Sequence, residues 1–119
     1  LRSQDRKNFM DITETAVGAV KVAALKGRLD TATAPAAEAK LLAMLEGAGR
    51  VVADMSEVHY VSSAGLRVLL KAAKQAKAGG GAFALASPQA PVREVLEISG
   101  FDKILAIHAT RPEATASLG

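Results

Sequence analysis

Residues 51–70 read Val51-Val-Ala-Asp-Met-Ser-Glu-Val-His-Tyr-Val-Ser-Ser-Ala-Gly-Leu-Arg-Val-Leu-Leu70. The run from Arg50 to Met55 is short and almost continuously apolar, as in a strand covered on both faces. A polar turn and a short apolar stretch then lead to Ser62 and Ser63. Beyond them Leu66, Leu69, Leu70, Ala73 and Ala76 recur at spacings of three and four, which predicts an amphipathic helix buried along that stripe. A helix start directs unpaired N–H groups and a partial positive charge outward. A phosphate on a serine hydroxyl at that junction would sit in a favourable field.

On the N-terminal side, Phe9 to Glu14 and Ala19 to Lys26 read as two strands joined near Val17-Gly18, a hairpin pattern. Val20, Val22 and Ala24 share one face of the second strand. Gly27-Arg28-Leu29-Asp30 reads as a break. A helix follows to Glu46, with Thr33 the best-placed cap because it puts Pro35 in the first turn. Ala37, Leu41, Met44 and Leu45 form its buried stripe. On the C-terminal side, Gly79-Gly80-Gly81 stops the serine-led helix and Ala82 to Ala86 reads as a strand. A third helix begins near Ser87 or Pro88 and closes at Gly100, and Ile104 to Ile107 reads as a last strand. Thr110-Arg-Pro-Glu113 has capping-box spacing before a short terminal helix. The order is β-β-α-β-α-β-α-β-α, an α/β fold with a mixed sheet.

A chain of 119 residues is long enough for one core without disulfides or metal. That core is aliphatic, since the aromatics are limited to Phe9, Phe83, Phe101 and Tyr60, too few to build platforms for stacking nucleobases. The absence of cysteine removes thiolate ligands and thiol nucleophiles, and fits a reducing compartment. The net charge is +3, of which Arg2, Arg6 and Lys7 against Asp5 account for +2, a weak signature for nucleic acid. Residues 1–8 are polar and read as a disordered extension or a cloning remnant preceding a domain at 9–119.

The serine pair is the leading candidate for chemistry. By position alone, one serine is an N-cap and nothing more; the functional alternative is a phosphorylation site, with roughly −1.5 to −2 charges added at the helix mouth. Gly65 would let a partner's backbone approach closely. A hydrolase is disfavoured because the Gly-x-Ser-x-Gly elbow is missing and neither His59, read as a loop residue, nor His108, read as a strand end, is placed beside Ser63. Two histidines without cysteine also make a poor metal site. The triple glycine follows a helix and opens a strand, the reverse of a phosphate-binding loop. Arg67, Lys71, Lys74 and Lys77 lie at spacings of four, three and three, either as a solvated face or as a positive stripe facing an acidic partner.

Taken in order, these segments resemble the STAS domains, and within them the small bacterial anti-sigma factor antagonists. The matching pieces are Gly27-Arg28-Leu29-Asp30, the strand Val51 to Val58 with Asp54-Met55-Ser56, the segment Ser63-Ala64-Gly65-Leu66, and Leu96-Glu97-Ile98-Ser99-Gly100-Phe101. The resemblance implies a STAS-like mixed sheet and a non-enzymatic, cytoplasmic regulator that acts by partner switching. The unmodified protein would bind a serine-kinase anti-sigma factor and free its target. The kinase, which holds the ATP and Mg²⁺, would phosphorylate Ser63 (alternatively Ser62) and so eject its partner, and a phosphoserine phosphatase would reset the switch. The resemblance implies a docking surface of Asp30, Ser62, Ser63, Ala64, Gly65, Leu66 and Arg67, no cofactor or metal of the protein's own, no nucleic-acid or membrane partner, and a monomer when free. The rival is a STAS subunit of a lipid-transport or signalling complex in which Ser63 is only a cap. One departure stands out: the family usually carries Asp immediately before the regulatory serine, where this chain has Ser62.

Overall fold

The computed structural model describes residues 10–119. The expected extension at residues 1–8, and Phe9, lie outside the described residues. The elements are β1 (Asp11–Val17), β2 (Val20–Leu29), α1 (Ala34–Leu45), β3 (Arg50–Val61), α2 (Ser63–Ala78), β4 (Ala82–Ala86), α3 (Ala90–Ile98), a 3-10 turn (Phe101–Lys103), β5 (Ala106–His108) and α4 (Arg111–Leu118). The sheet order is β1-β2-β3-β4-β5. β1 is antiparallel to β2, and the remaining neighbours are parallel.

Alternation along the strands divides the interior into two layers. Ala23 and Leu25 of β2, Val51, Ala53 and Met55 of β3, and Phe83 and Leu85 of β4 meet the apolar faces of α1, α2 and α3. On the opposite face, Val20, Val22, Val52 and Ala86 pack with Ala114 and Leu118 of α4. The expected stripe of α1 is buried as read. The stripe of α2 is rotated from the expected one: Gly65, Val68, Leu69, Ala72 and Ala76 are buried, while Leu66, Leu70 and Ala73 are only partly covered. Spacing alone admits both phases, and close contact at Gly65 selects one.

Three strands outrun their expected ends: β1 reaches Val17 instead of Glu14, and β2 and β3 extend side by side to Leu29 and Val61. Gly27-Arg28-Leu29 does not break β2, because β3 continues beside it, pairing Gly27 with Val58, Arg28 with Tyr60 and Leu29 with Val61. The glycine instead carries a positive φ of 120° next to a register shift, so the polar segment of β3 is accommodated as an irregular ladder and not as a turn. His59 is therefore an exposed strand residue. β4 ends opposite Asp54, and the Gln89 side chain covers part of the edge beyond by donating to the Ser56 carbonyl at 2.8 Å. At the C-terminal end, the 3-10 turn displaces β5 to Ala106–His108 and leaves Ile104 exposed. Thr110 caps α4 through Glu113 as the capping box predicts, its Oγ1 accepting from the Glu113 N–H at 3.2 Å.

Asp54 locks α4 over the sheet. Its side chain is 7% exposed and lies 2.7 Å from the Arg111 guanidinium; its other oxygen accepts the Ser56 N–H at 2.9 Å. Burial works to raise its pKa, but the Ser56 hydrogen bonds and the Arg111 charge outweigh it and hold the carboxyl below its ordinary value. A carboxyl depressed on folding stabilises above the unfolded pKa of about 3.9, and that stability disappears as pH falls toward the folded value. Acidification from about pH 5 to pH 3 is therefore expected to lower Tm, and Asp54→Asn is expected to start from a lower Tm at neutral pH and decline less steeply. Parallel Tm-versus-pH curves for the two proteins would show that Asp54 has no such role.

Candidate functional site

The carboxyl ends of β2 and β3 lie side by side, so the turn after each occupies one rim of the sheet. The Ser62 N–H donates to the Leu29 carbonyl at 2.9 Å, tying the two turns together. Asp30 organises the first. Its Oδ1 accepts the N–H groups of Ala32 and Thr33 at 3.1 and 3.2 Å, the work of an Asx turn. Thr33 occupies the predicted cap position of α1, but its side chain makes no cap bond. Its Oγ1 points back, donating to the Arg28 carbonyl at 2.7 Å and accepting from the Asp30 N–H at 2.9 Å. Desolvation acts to raise the pKa of Asp30; the Thr33 and Ala32 N–H groups, the Thr33 hydroxyl and Arg28 together lower it. The carboxylate is thus charged and structurally committed.

The second turn separates the two serines. Ser62, half-buried, is the N-cap of α2: its backbone is extended, and its Oγ accepts the Gly65 N–H at 3.3 Å. Ser63 is the first residue of the helix; it is exposed, and among the described residues its hydroxyl makes no hydrogen bond. Ser is as good a cap as Asp, so the residue that replaces the usual Asp keeps the helix start intact. The cap is Ser62, which removes the premise that Ser63 is only a cap. No acidic side chain stands in the first turn of α2 to oppose an added anion.

The other expected docking residues divide by depth. Arg67 is exposed, and Ala64 and Leu66 are half-buried and pack against the core. Gly65 differs from the expectation that it opens room for a partner: it is buried and faces inward. A Cβ there would lie 2.6 Å from the Leu29 carbonyl oxygen and 2.8 Å from Leu29 Cγ, so its hydrogen lets α2 approach the strand ends. Between α1 and α2, next to the serines, runs a groove of about 570 Å³ lined by Thr31, Pro35, Ala64, Arg67 and Lys71 among others. Lys71 bridges it to Glu38 at 2.9 Å.

Two residues on this rim escaped the sequence reading. The Arg28 guanidinium lies 4.2 Å from the centre of the exposed Tyr60 ring and 3.4 Å from Asp30. Their contact follows from the Arg28–Tyr60 register of the extended strands, and a signal existed only in the pairing, not in either residue's local sequence. His108 hydrogen-bonds Ser117, at 3.1 Å, and takes no part in the rim.

The family model for the STAS domain matches residues 12–114. The chain is 39% identical over 109 residues to BtrV of Bordetella bronchiseptica, a protein assigned by inference as an anti-sigma factor antagonist; the match covers 91% of this chain and 94% of that one. A solved structure from Thermotoga maritima with the same inferred assignment superposes with a TM-score of 0.84 at 25% identity, covering 90% of this chain and 93% of the other. An anti-sigma-factor antagonist (STAS) domain protein from Planctomyces limnophilus gives 0.81 at 25% identity, over 92% and 98% of the two chains. The strand and helix order, the paired rim turns and these matches agree, and the chain belongs to the STAS-domain family, on the branch of the anti-sigma factor antagonists.

Proposed function

We propose that this protein antagonises an anti-sigma factor by partner switching, with Ser63 as the residue that a serine kinase phosphorylates. The single observation that carries the reading is the division of labour at the start of α2: Ser62 Oγ is engaged as the cap, while Ser63 presents to solvent a hydroxyl that makes no hydrogen bond among the described residues. The relatives named above support the partner class, since each is described as an antagonist of an anti-sigma factor. In this scheme the partner is a kinase anti-sigma factor that supplies ATP and Mg²⁺, and this chain contributes the acceptor oxygen and the docking surface, not a catalytic group.

The unmodified rim binds the kinase through the Asp30 turn, Ser62 to Ala64, Leu66 and Arg67. Phosphorylation then places a dianion in the middle of the contact. The fold tolerates it, because the free N–H groups and dipole of α2 favour negative charge. The interface does not, because an anion buried without a partner loses its hydration. A phosphatase restores the hydroxyl, and the cycle operates in the cytoplasm.

Incubation with the cognate kinase, ATP and Mg²⁺, followed by peptide mapping by mass spectrometry, is expected to put one phosphate on Ser63. Ser62→Ala is expected to retain that modification while losing about 1 kcal/mol of stability with its cap. Phosphate confined to Ser62, or none on either serine, would refute the assignment.

A further inference from the structure

The outward face of α2 is charged in a way that its own stability does not explain. Between Ser63 and Ala78 the helix carries Arg67, Lys71, Lys74 and Lys77 and no carboxylate, so it holds +4 in a chain whose total is +3. An exposed helix gains from opposite charges at i,i+4 and loses from like ones. Here Arg67 and Lys71 form a like-charge pair at i,i+4, and Lys74 follows Lys71 at i,i+3. Lys77, in the last turn, is favoured by the helix dipole, but Arg67, Lys71 and Lys74 gain nothing from it. Only Lys71 has a counter-ion among the described residues, Glu38 of α1. Leu70, expected in the core, lies outside it: with Arg67, Lys71 and Lys74 it lines a shallow, mostly apolar depression of about 270 Å³.

We infer that this face, a leucine floor rimmed by Arg67, Lys71 and Lys74, is the docking surface for an acidic patch on the kinase partner. The inference rests on the reading of Ser63 given above and adds the charge and shape of what approaches it. The stripe begins one turn beyond Ser63, so a partner holding the serine would lie along it. Carboxylates meeting the cations would relieve the repulsion along α2, while one apolar side chain fills the depression over Leu70. A phosphate on Ser63 would also compete for Arg67, the first cation in the row, four residues on and on the same helix face.

The test is binding of the cognate kinase to full-length protein at about 0.05 and 0.5 M salt, where screening removes exposed charge interactions. The variants are Lys74→Glu, which reverses an exposed charge outside the serine rim, and Lys103→Glu, which makes the same net change in the 3-10 turn preceding β5. At low salt Lys74→Glu is expected to weaken binding by roughly tenfold, mainly through slower association, and Lys103→Glu by less than about twofold. High salt is expected to weaken the wild type toward the Lys74→Glu value. Equal effects of the two variants, or salt-independent binding by the wild type, would overturn the inference while leaving the Ser63 switch standing if Ser63→Asp still abolishes binding. A wild type that does not bind the kinase at all overturns both. Lys74-dependent sedimentation with phosphatidylserine vesicles, without a Lys74 effect on the kinase, would assign the stripe to a membrane and overturn it too.

Discussion

Ser63→Asp is expected to fold normally and to lose kinase affinity by on the order of 100-fold. The position is exposed and its hydroxyl is unengaged among the described residues, so no internal bond is broken. A carboxylate in the first turn of α2 meets unpaired N–H groups, which favours it by about 0.3–1 kcal/mol; thermal melting should show an unchanged or slightly higher Tm. In the proposed complex the same carboxylate would be stripped of water, and an unpaired charge in a contact costs about 2–5 kcal/mol. Titration calorimetry with the kinase measures the second effect and the melt controls for the first. Full affinity with an intact fold would show that charge at residue 63 does not operate the switch.

Gly65→Ala is expected to do the opposite, damaging the fold first and binding as a result. The added carbon would come within 2.6 Å of the Leu29 carbonyl oxygen, 2.8 Å of Leu29 Cγ and 3.0 Å of Val61 Cγ1. Two of those contacts are with the side chains of Leu29 and Val61, but the first is backbone that also accepts the Ser62 N–H and cannot retreat without breaking that bond. Alanine's better helix propensity returns under about 1 kcal/mol, whereas overpacking a tight contact costs about 1–3 kcal/mol. Valine at the same position adds two further methyl groups to the clash. A Tm lower by roughly 5–10 °C is expected for Gly65→Ala, given about 4–8 °C per kcal/mol in a domain near this size, and a largely unfolded product for Gly65→Val. An unshifted Tm for Gly65→Ala would mean that α2 slides outward freely.

The sequence made the alternation of strands and helices legible, because Ala37, Leu41, Met44 and Leu45 on α1 and the apolar run of β3 each have one sensible period. Less legible was whatever depended on a neighbour. Gly27 and Ser56 are poor strand residues read alone, yet the parallel ladder between β2 and β3 carries both through to Leu29 and Val61. The phase of α2 turned on a contact 36 positions away in sequence, Gly65 against Leu29, and this moved Leu70 from the expected core to the surface. At the rim, the two serines were found by their position before a helix, but which one caps could not be read from two identical side chains. The Arg28–Tyr60 contact required the register itself.

The early end of β4 at Ala86, opposite Asp54, gives the sheet a taper: β3 from Met55 to Val61 runs on with a strand partner only on its β2 side. The connection Ser87 to Gln89 therefore passes beside a flank of the strand that delivers the serines, one that no strand pairs and that Gln89 only partly covers. Insertions there would extend into solvent without disturbing either apolar layer, since loops accept added length more readily than packed elements do.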